Sequence, residues 1–468
     1  NDGGSSTIHY DGSAKLATTS TGIDVTGISV SDGMSTNTLG TSNFIAGVNA
    51  GNSITSGGNY NVLVGDQAGT AITTGDHNTA IGFNALVTED TGSRNTAIGR
   101  AALEVLNYNG DGYNTAVGYA AGTAVTTGVN NTLIGGLVGD ANTTGSQNTA
   151  LGRSSLGANT TASNNTAIGY NSMALNTTGT SNTAIGYSSL DANTTASNNT
   201  ALGYDALTTN TTGASNTAVG QGALELNTTA ANNTAVGKDA LTANTTGAEN
   251  TAVGSLSLDA NTTGTRNTGI GSESLSANTE GTDNTATGKN SLATNTTGNY
   301  NSSFGRNSLF SNTTSSNNTA VGYYSLFANT TGTANTAVGG AAGDAITTGS
   351  YNTAVGQSAL TALTTGGSNT TMGYAAGQGL TGGSNFNVAI GDETLLTAGV
   401  KANNTAIGSD AMRLTTTGGN NTGVGYNALF ANTTGSNNVA VGLNALDANT
   451  TGSSNVSVGS GALGANTT

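Results

Sequence analysis

The sequence contains no cysteine, no proline and no tryptophan, and only 7% of its 468 residues are charged. Without cysteine, neither a disulfide framework nor a thiolate metal site is possible. An ordinary globular domain has about 25% charged residues, so the chain is not an average enzyme domain. No apolar run reaches the ~18 residues that a membrane-spanning helix needs. With 25 Asp and Glu against 10 Lys and Arg, nucleic acid is not an expected partner, since phosphate binding needs clustered basic residues.

Glycine is abundant, with 72 residues, and a repeat of 17 residues explains most of the chain. The unit reads Asn-Thr-Ala-Val/Ile-Gly-Tyr-x-Ala/Ser-Leu-x-Ala-Asn-Thr-Thr-Gly-x-x, and its first Asn defines position 1. There are 25 copies, the first beginning at Asn43 and the last at Asn455. Spacings of 18, 19 and 18 residues precede Asn61, Asn114 and Asn387, and we expect the extra residues in loops.

Several positions of the unit are nearly constant, and we expect them to hold the repeat together. Position 5 is Gly in every copy, position 4 is apolar in all but one, and position 9 is usually Leu or Met. The predicted structural residues are Gly169, Gly186, Gly203, Gly220 and Gly237 at position 5, Ile168 and Ile185 at position 4, Leu190, Leu207 and Leu224 at position 9, and Asn193 and Asn210 at position 12.

Positions 9 and 12 vary together. Where position 9 is Gly, as in Gly69 and Gly343, position 12 is usually apolar, as in Ile72 and Ile346. This pattern predicts that the two positions share one interior space. In the copy with Gly139, position 12 stays Asn, and we expect its neighbours at 137 and 138 to fill the gap.

The composition predicts an all-β fold, because Asn, Thr and Gly disfavour helices while Thr, Val and Ile favour strands. Each unit is predicted to form one coil of a parallel β-solenoid (β-roll) with two strands, at positions 1–5 and 9–13. We expect the position-4 side chain to be buried with the position-9 Leu, and the small Ala/Gly face of the first strand to allow close approach of a neighbour. Residues 43–468 then form a shaft of about 25 coils, and residues 1–42 form a lead-in or attachment segment. Burial within one chain is modest, which favours oligomerisation.

Asn165–Gly169 with the preceding Asn164, and the matching segment 317–322, resemble the Asn-Ser-Val-Ala-Ile-Gly signature of trimeric autotransporter adhesin heads of the YadA type. This resemblance implies a left-handed β-roll built from three chains. The longer unit, with Ala-Leu-x-x-Asn-Thr-Thr-Gly between signatures, is similar to repeats of phage tail fibres that end in an endosialidase-type intramolecular chaperone. Residues 8–30 resemble a linker of marine phage structural proteins.

These resemblances imply a homotrimeric tail-fibre shaft that presents a host-receptor-binding tip and performs no catalysis. The implied partners are a host cell-surface receptor or polysaccharide, a virion attachment protein, and a C-terminal chaperone that lies beyond residue 468 and is cleaved. The implied location is extracellular, on the virion surface. The alternatives are a bacterial surface adhesin or extracellular filament subunit, and an ice- or glycan-binding solenoid.

No catalytic, metal or cofactor site is predicted. Asp191, Asp259 and Asp447 share position 10, and Asp205 and Asp239 share position 7, but the coils on either side are uncharged there. The two histidines, at positions 9 and 77 of the chain, are far apart in sequence.

Exposed columns remain as candidate binding surfaces. Tyr170, Tyr187 and Tyr204 occupy position 6 of three successive coils, as possible glycan contacts or, as we favour, a structural ladder. The Asn column at position 12 predicts an amide ladder. The Thr columns at positions 13 and 14 suggest ice binding as a further alternative.

Overall fold

The computed structural model describes residues 39–468 in full and the backbone of four strands before them. β1 (Thr7–Tyr10), β2 (Ser13–Thr19) and β3 (Gly22–Asp24) form an antiparallel sheet in that order. β4 (Met34–Ser35) pairs antiparallel with β5 (Phe44–Ala46), the first strand of the repeat. The remainder of residues 1–38, which belongs to the predicted lead-in, lies outside the described residues.

The chain divides into two compact units, Asn1–Thr212 and Gly213–Thr468, and both contain the same kind of coil. In the first unit, β5 is followed by β6 (Val62–Val64), β7 (Thr79–Ile81), β8 (Thr96–Ile98), β9 (Thr115–Val117), β10 (Thr132–Ile134), β11 (Thr149–Leu151), β12 (Thr166–Ile168), β13 (Thr183–Ile185) and β14 (Thr200–Leu202). The second unit contains β15 (Thr217–Val219), β16 (Thr234–Val236), β17 (Thr251–Val253), β18 (Thr268–Ile270), β19 (Thr285–Thr287), β20 (Ser302–Phe304), β21 (Thr319–Val321), β22 (Thr336–Val338), β23 (Thr353–Val355), β24 (Thr370–Met372), β25 (Val388–Ile390), β26 (Thr405–Ile407), β27 (Thr422–Val424), β28 (Val439–Val441) and β29 (Val456–Val458).

Within each unit, consecutive strands from β5 onward pair parallel and in register. β12 and β13 in the first unit place Thr166, Ala167 and Ile168 opposite the same residue types one repeat later, and β15 and β16 do so in the second. The predicted fold class is confirmed: the fold is an all-β parallel β-solenoid of 25 strands with a 17-residue repeat. Residues 39–468 contain no helix. The left hand and the trimer stay predictions.

The predicted inside and outside of the strand are reversed. Ala167 at position 3 is fully buried and Asn165 at position 1 nearly so, while Thr166 and Ile168 at positions 2 and 4 point outward and are partly exposed. The reason is the buried Leu at position 9, which leaves room for only a small side chain at position 3. Where position 9 is Gly69, Leu63 at position 3 fills the space, so that a methyl group on Gly69 would lie 2.7 Å from a Leu63 Cδ atom.

The prediction of a second strand at positions 9–13 was wrong, because each coil has one strand and then turns over positions 6–11. Positions 7 and 9 have positive φ even without Gly, as in Ser188 (φ 47°) and Leu190 (φ 53°). Such angles break a strand and are uncommon for Leu. The turns are still bonded coil to coil, since the Leu190 N–H donates to the Ala206 carbonyl at 3.0 Å.

The extra residues of the three longer copies lie outside the strands, as predicted. The insertion before Asn114 falls in the loop 107–113, and Thr96 still pairs with Thr115. The register is also kept across the other two insertions, at Phe44 with Val62 and at Thr370 with Val388. The alternation of inward and outward side chains is therefore preserved.

Candidate functional site

The position-5 glycines lie where the strand turns away from the sheet. Their φ angles are +134° at Gly169, +143° at Gly186 and Gly203, +133° at Gly220 and +138° at Gly237. A methyl group on Gly220 would lie 2.4 Å from the Gly237 carbonyl oxygen. Both the backbone angle and the contact with the next coil therefore require glycine.

Two columns of asparagine, at positions 1 and 12, bond neighbouring coils within each unit, the second only where position 12 is Asn. Asn193 Nδ2 donates to Asn176 Oδ1 at 2.7 Å and to the Ala196 carbonyl at 3.0 Å, and Asn210 Nδ2 donates to Asn193 Oδ1 at 3.2 Å. These bonds form the amide ladder expected at position 12. Sequence reasoning missed the second column, at position 1, where the Asn182 N–H donates to Asn165 Oδ1 at 3.0 Å. Both columns are buried, so their side chains are structural.

The predicted apolar residues separate into an inner and an outer set. Leu190, Leu207 and Leu224 are fully buried. Ile168 and Ile185 are partly exposed on what we call the outer sheet face, the surface formed by positions 2 and 4 of successive strands. No copy has a charged residue at either position.

In the first unit, the outer sheet face has two regular rows from β7 to β14. One row is hydroxylic and the other aliphatic. The first contains Thr79, Thr96, Thr115, Thr132, Thr149, Thr166, Thr183 and Thr200, and the second Ile81, Ile98, Val117, Ile134, Leu151, Ile168, Ile185 and Leu202. In this part of the chain none of these Thr hydroxyls has a hydrogen-bond partner, and Leu151 and Leu202 are 44% and 43% exposed. The face is therefore uncharged, amphipathic and open.

The three tyrosines that were candidates for glycan contact form one stack. Ring centroids are 5.5 Å apart between Tyr170 and Tyr187 and 5.2 Å apart between Tyr187 and Tyr204, with nearly parallel planes. The rings cover one another's faces, which leaves their edges and hydroxyls exposed. Stacking of a sugar between these rings is therefore blocked, whereas contact along the column is open. The glycan role stays a prediction.

Arginines extend this column, a feature that sequence reasoning missed. The Arg153 guanidinium carbon lies 5.8 Å from the Tyr170 ring centroid, and that of Arg100 lies 5.5 Å from the Tyr119 centroid. Arg100 Nη1 also donates to the Tyr119 hydroxyl at 3.2 Å. The available signal was the spacing, because at position 6 an Arg precedes a Tyr by one copy in these pairs, as Arg306 precedes Tyr323.

The carboxylates are spread over the turns rather than gathered in a reactive site. Among residues 39–468, no three His, Asp or Glu side chains form a group that could hold a metal ion. Desolvation raises the pKa of Asp191 and Asp259, and nearby acidic groups, Asp205 for the first and Asp239 for the second, raise it further. Both effects disfavour the charged form of these carboxyls.

Glu89 replaces Asn at position 12 and is fully buried. Its Oε1 accepts the Gly92 N–H at 2.7 Å, and its Oε2 accepts the Tyr108 N–H at 3.2 Å. Burial raises the pKa of its carboxyl, and the two N–H groups oppose that shift. The residue thus anchors the two-residue insertion, which is a structural role.

His77 and the Thr side chains at position 13 make contacts within the described part of the chain. His77 stacks on Tyr60 with ring centroids 4.9 Å apart, and the side chain of the other histidine lies outside the described residues. The position-13 hydroxyls are used within the chain, since Thr177 Oγ1 donates to the Thr194 carbonyl at 2.9 Å. A surface cavity of about 430 Å³ lies at the irregular copies near Thr381, Ser384 and Lys401.

No family model matches the chain, and no curated protein matches it. In the described part of the chain, no helix is long and apolar enough to cross a membrane. The geometry of the columns is therefore the basis for a functional proposal.

Proposed function

We propose that the chain is the shaft of an extracellular fibre, in which copies associate through the outer sheet face. The fibre would be a phage tail fibre, on the virion surface, that carries a host-receptor-binding tip, and it would perform no catalysis. The observation that carries the proposal is the uncharged row of exposed aliphatic side chains at position 4.

The contacts between neighbouring coils suit the shaft of a fibre. Within each unit, neighbouring coils are bonded by strand pairs, by the position-1 asparagines and by turn hydrogen bonds such as that of Leu190. Where position 12 is Asn, as at Asn193, its amide adds a further bond. Each coil contacts only its neighbours, as in other repeat proteins, so stability is spread along the chain. A binding tip held by such a shaft needs no chemistry from the shaft itself.

The outer sheet face suits association of like chains. A soluble monomer seldom exposes a long apolar row, and rows of this kind mark association surfaces. Within each unit the side chains at positions 2 and 4 recur once per coil, so two chains side by side present the same spacing to each other. Three copies are the number that the resemblance to adhesin heads and fibre shafts implies.

The mass of the native particle tests this proposal. Sedimentation or native mass spectrometry should give three times the 45.4 kDa of one chain. The double variant Ile168→Lys with Ile185→Lys should give single chains, because it places charge in the aliphatic row. The matched control, Thr178→Lys with Thr195→Lys, changes exposed residues outside the face in the same coils and should leave the assembly intact. A single-chain wild type would refute the proposal.

The alternative is a bacterial surface adhesin or extracellular filament built on the same coil. The same face and the same assembly support it. Sequence and genes adjoining this chain separate the two: a virion adaptor favours the fibre, and a secretion signal favours the adhesin.

A second candidate function, ice binding, is favoured by one observation on the same face. The eight Thr hydroxyls of β7 to β14 have no hydrogen-bond partner among residues 39–468 and stand about 4.8 Å apart beside an aliphatic row. The Thr columns at positions 13 and 14 are less suitable, because the position-13 hydroxyls donate to backbone carbonyls. Thermal hysteresis of the wild type that is lost in Thr166→Tyr would support this role, and its absence at high concentration would remove it.

A further inference from the structure

The position-6 column of the first unit has an unusual charge environment. In residues 39–468, Arg94, Lys238, Arg266 and Arg413 all have carboxylate partners. Within the same range, Arg153 has none, although the whole chain has a net charge of −15. It is also the only charged residue between 141 and 190. Arg153 is therefore a cation without a carboxylate partner, although Asp140, Asp191 and Asp205 border this part of the chain.

The Arg153 guanidinium is held in place by an aromatic ring instead of an anion. It lies over the Tyr170 ring, and Tyr187 and Tyr204 continue the stack. This contact restrains the exposed side chain of Arg153, which lowers the entropy lost when an oxyanion binds. A planar, fixed guanidinium suits a carboxylate.

The tyrosines add a regular row of polar groups beside this cation. The three tyrosines are 40%, 48% and 53% exposed, and successive coils contribute one each. A phenolic hydroxyl both donates and accepts, which matches sugar hydroxyls, and the ring edges offer apolar contact to sugar C–H groups. A ligand for this row must extend along several coils and repeat its own polar groups.

We propose that Arg153, Tyr170, Tyr187 and Tyr204 form a lateral binding surface for an acidic polysaccharide. Arg153 binds a carboxylate of one sugar residue, and the tyrosine hydroxyls bind hydroxyl groups of the residues that follow. This surface is on the wall of the solenoid and is separate from any tip. It goes beyond the shaft role and does not depend on it.

Calorimetric titration of the full chain with a galacturonate hexasaccharide tests the proposal, with neutral maltohexaose as the reference ligand. The wild type should bind the acidic ligand more tightly, with an affinity that falls as salt is added. Arg153→Gln should weaken binding at least about tenfold, and Tyr187→Leu should weaken it less. The control Arg413→Gln removes the same charge from a paired arginine and should leave the affinity unchanged.

Four outcomes would overturn the proposal: no binding by the wild type, equal binding of both ligands, an unaffected Arg153→Gln variant, or equal losses in Arg153→Gln and Arg413→Gln. Arg153 is exposed, so its variant is expected to fold, and thermal unfolding checks this. If Arg153→Gln lowers the thermal midpoint and leaves binding intact, the stack is structural only. The particle mass, measured on the same samples, reports separately on the shaft proposal.

Discussion

The α-carbon of Gly169 faces the carbonyl of Gly186 so closely that a methyl group on Gly169 would lie 2.2 Å from that oxygen. The φ angle of Gly169, +134°, is one that other residues avoid. The same relationship recurs along the position-5 column, with Gly186 against Gly203 at 2.2 Å. The close approach of neighbouring coils along this column therefore requires glycine.

Gly169→Ala should destabilise its coil by about 3 kcal/mol, because it combines an unfavourable φ with a clash against backbone. Hydrogen exchange of residues 165–190 measures the local effect. Thr178→Ala, at an exposed position of the same coil, should change exchange little. Equal protection in the two variants would mean that the coil register is wrong.

Asn193→Ala should cost about 1–3 kcal/mol, since it removes the two hydrogen bonds that Asn193 donates and the one that it accepts from the buried Asn210 amide. Urea unfolding followed by circular dichroism measures the loss. Thr195→Ala, two residues away and exposed, is the matched control. A loss no larger than that of the control would show that the amide ladder contributes no stability.

The sequence was sufficient for the fold class because the repeat constrains it at every copy. Three features of the repeat have direct structural causes. They are the invariant Gly at position 5, the exchange of Gly and Leu at position 9, and the placement of insertions in loops. A methyl group on Gly343 would lie 3.0 Å from Ile346 Cδ1, which confirms that positions 9 and 12 share space. For Gly139, however, the filler is Leu133 of position 3 together with Val138, rather than Leu137.

Two predictions were wrong, each for its own physical reason. Alternation along a strand fixes which residues share a face but not which face is inside. The burial of Leu at position 9 decides this, and it requires Ala, not Val, at the inner strand position. Ser188 and Leu190 have positive φ although neither is Gly, so their residue types gave no sign of a turn. The sequence pattern therefore predicted a strand at these positions. The arginine–tyrosine stack required a comparison of neighbouring copies, not of one unit.

Gly343→Leu should overpack its coil and cost about 1–3 kcal/mol. Adding Ile346→Asn should recover most of that loss, for two reasons. It restores the usual Leu and Asn pair, and it supplies a donor to Asn329 Oδ1, which is buried without a partner below Ile346. A double-mutant cycle from urea unfolding measures the coupling. Additive losses would contradict the shared interior.

Asp259→Asn should raise stability slightly at pH 7, within the about 1 kcal/mol typical of partly exposed charges. Desolvation raises the pKa of Asp259 in the folded chain, so its charged form costs stability above that pKa. The cost disappears as the pH falls toward the unfolded value of about 3.9. Thermal unfolding at pH 7 and pH 4 should therefore show a larger midpoint difference between variant and wild type at pH 7. An equal difference at both values would contradict the pKa shift.

The in-register pairing of identical strands also has a genetic consequence. Thr166 pairs with Thr183, the residue at the same position of the next repeat. Each coil therefore offers the same strand pattern to the coil before it and to the coil after it. Unequal recombination between neighbouring repeats can then remove or duplicate one whole coil without disturbing the ones beside it. Selection can therefore adjust the length of this protein in steps of a single winding, while the strand pairing of the other coils stays the same.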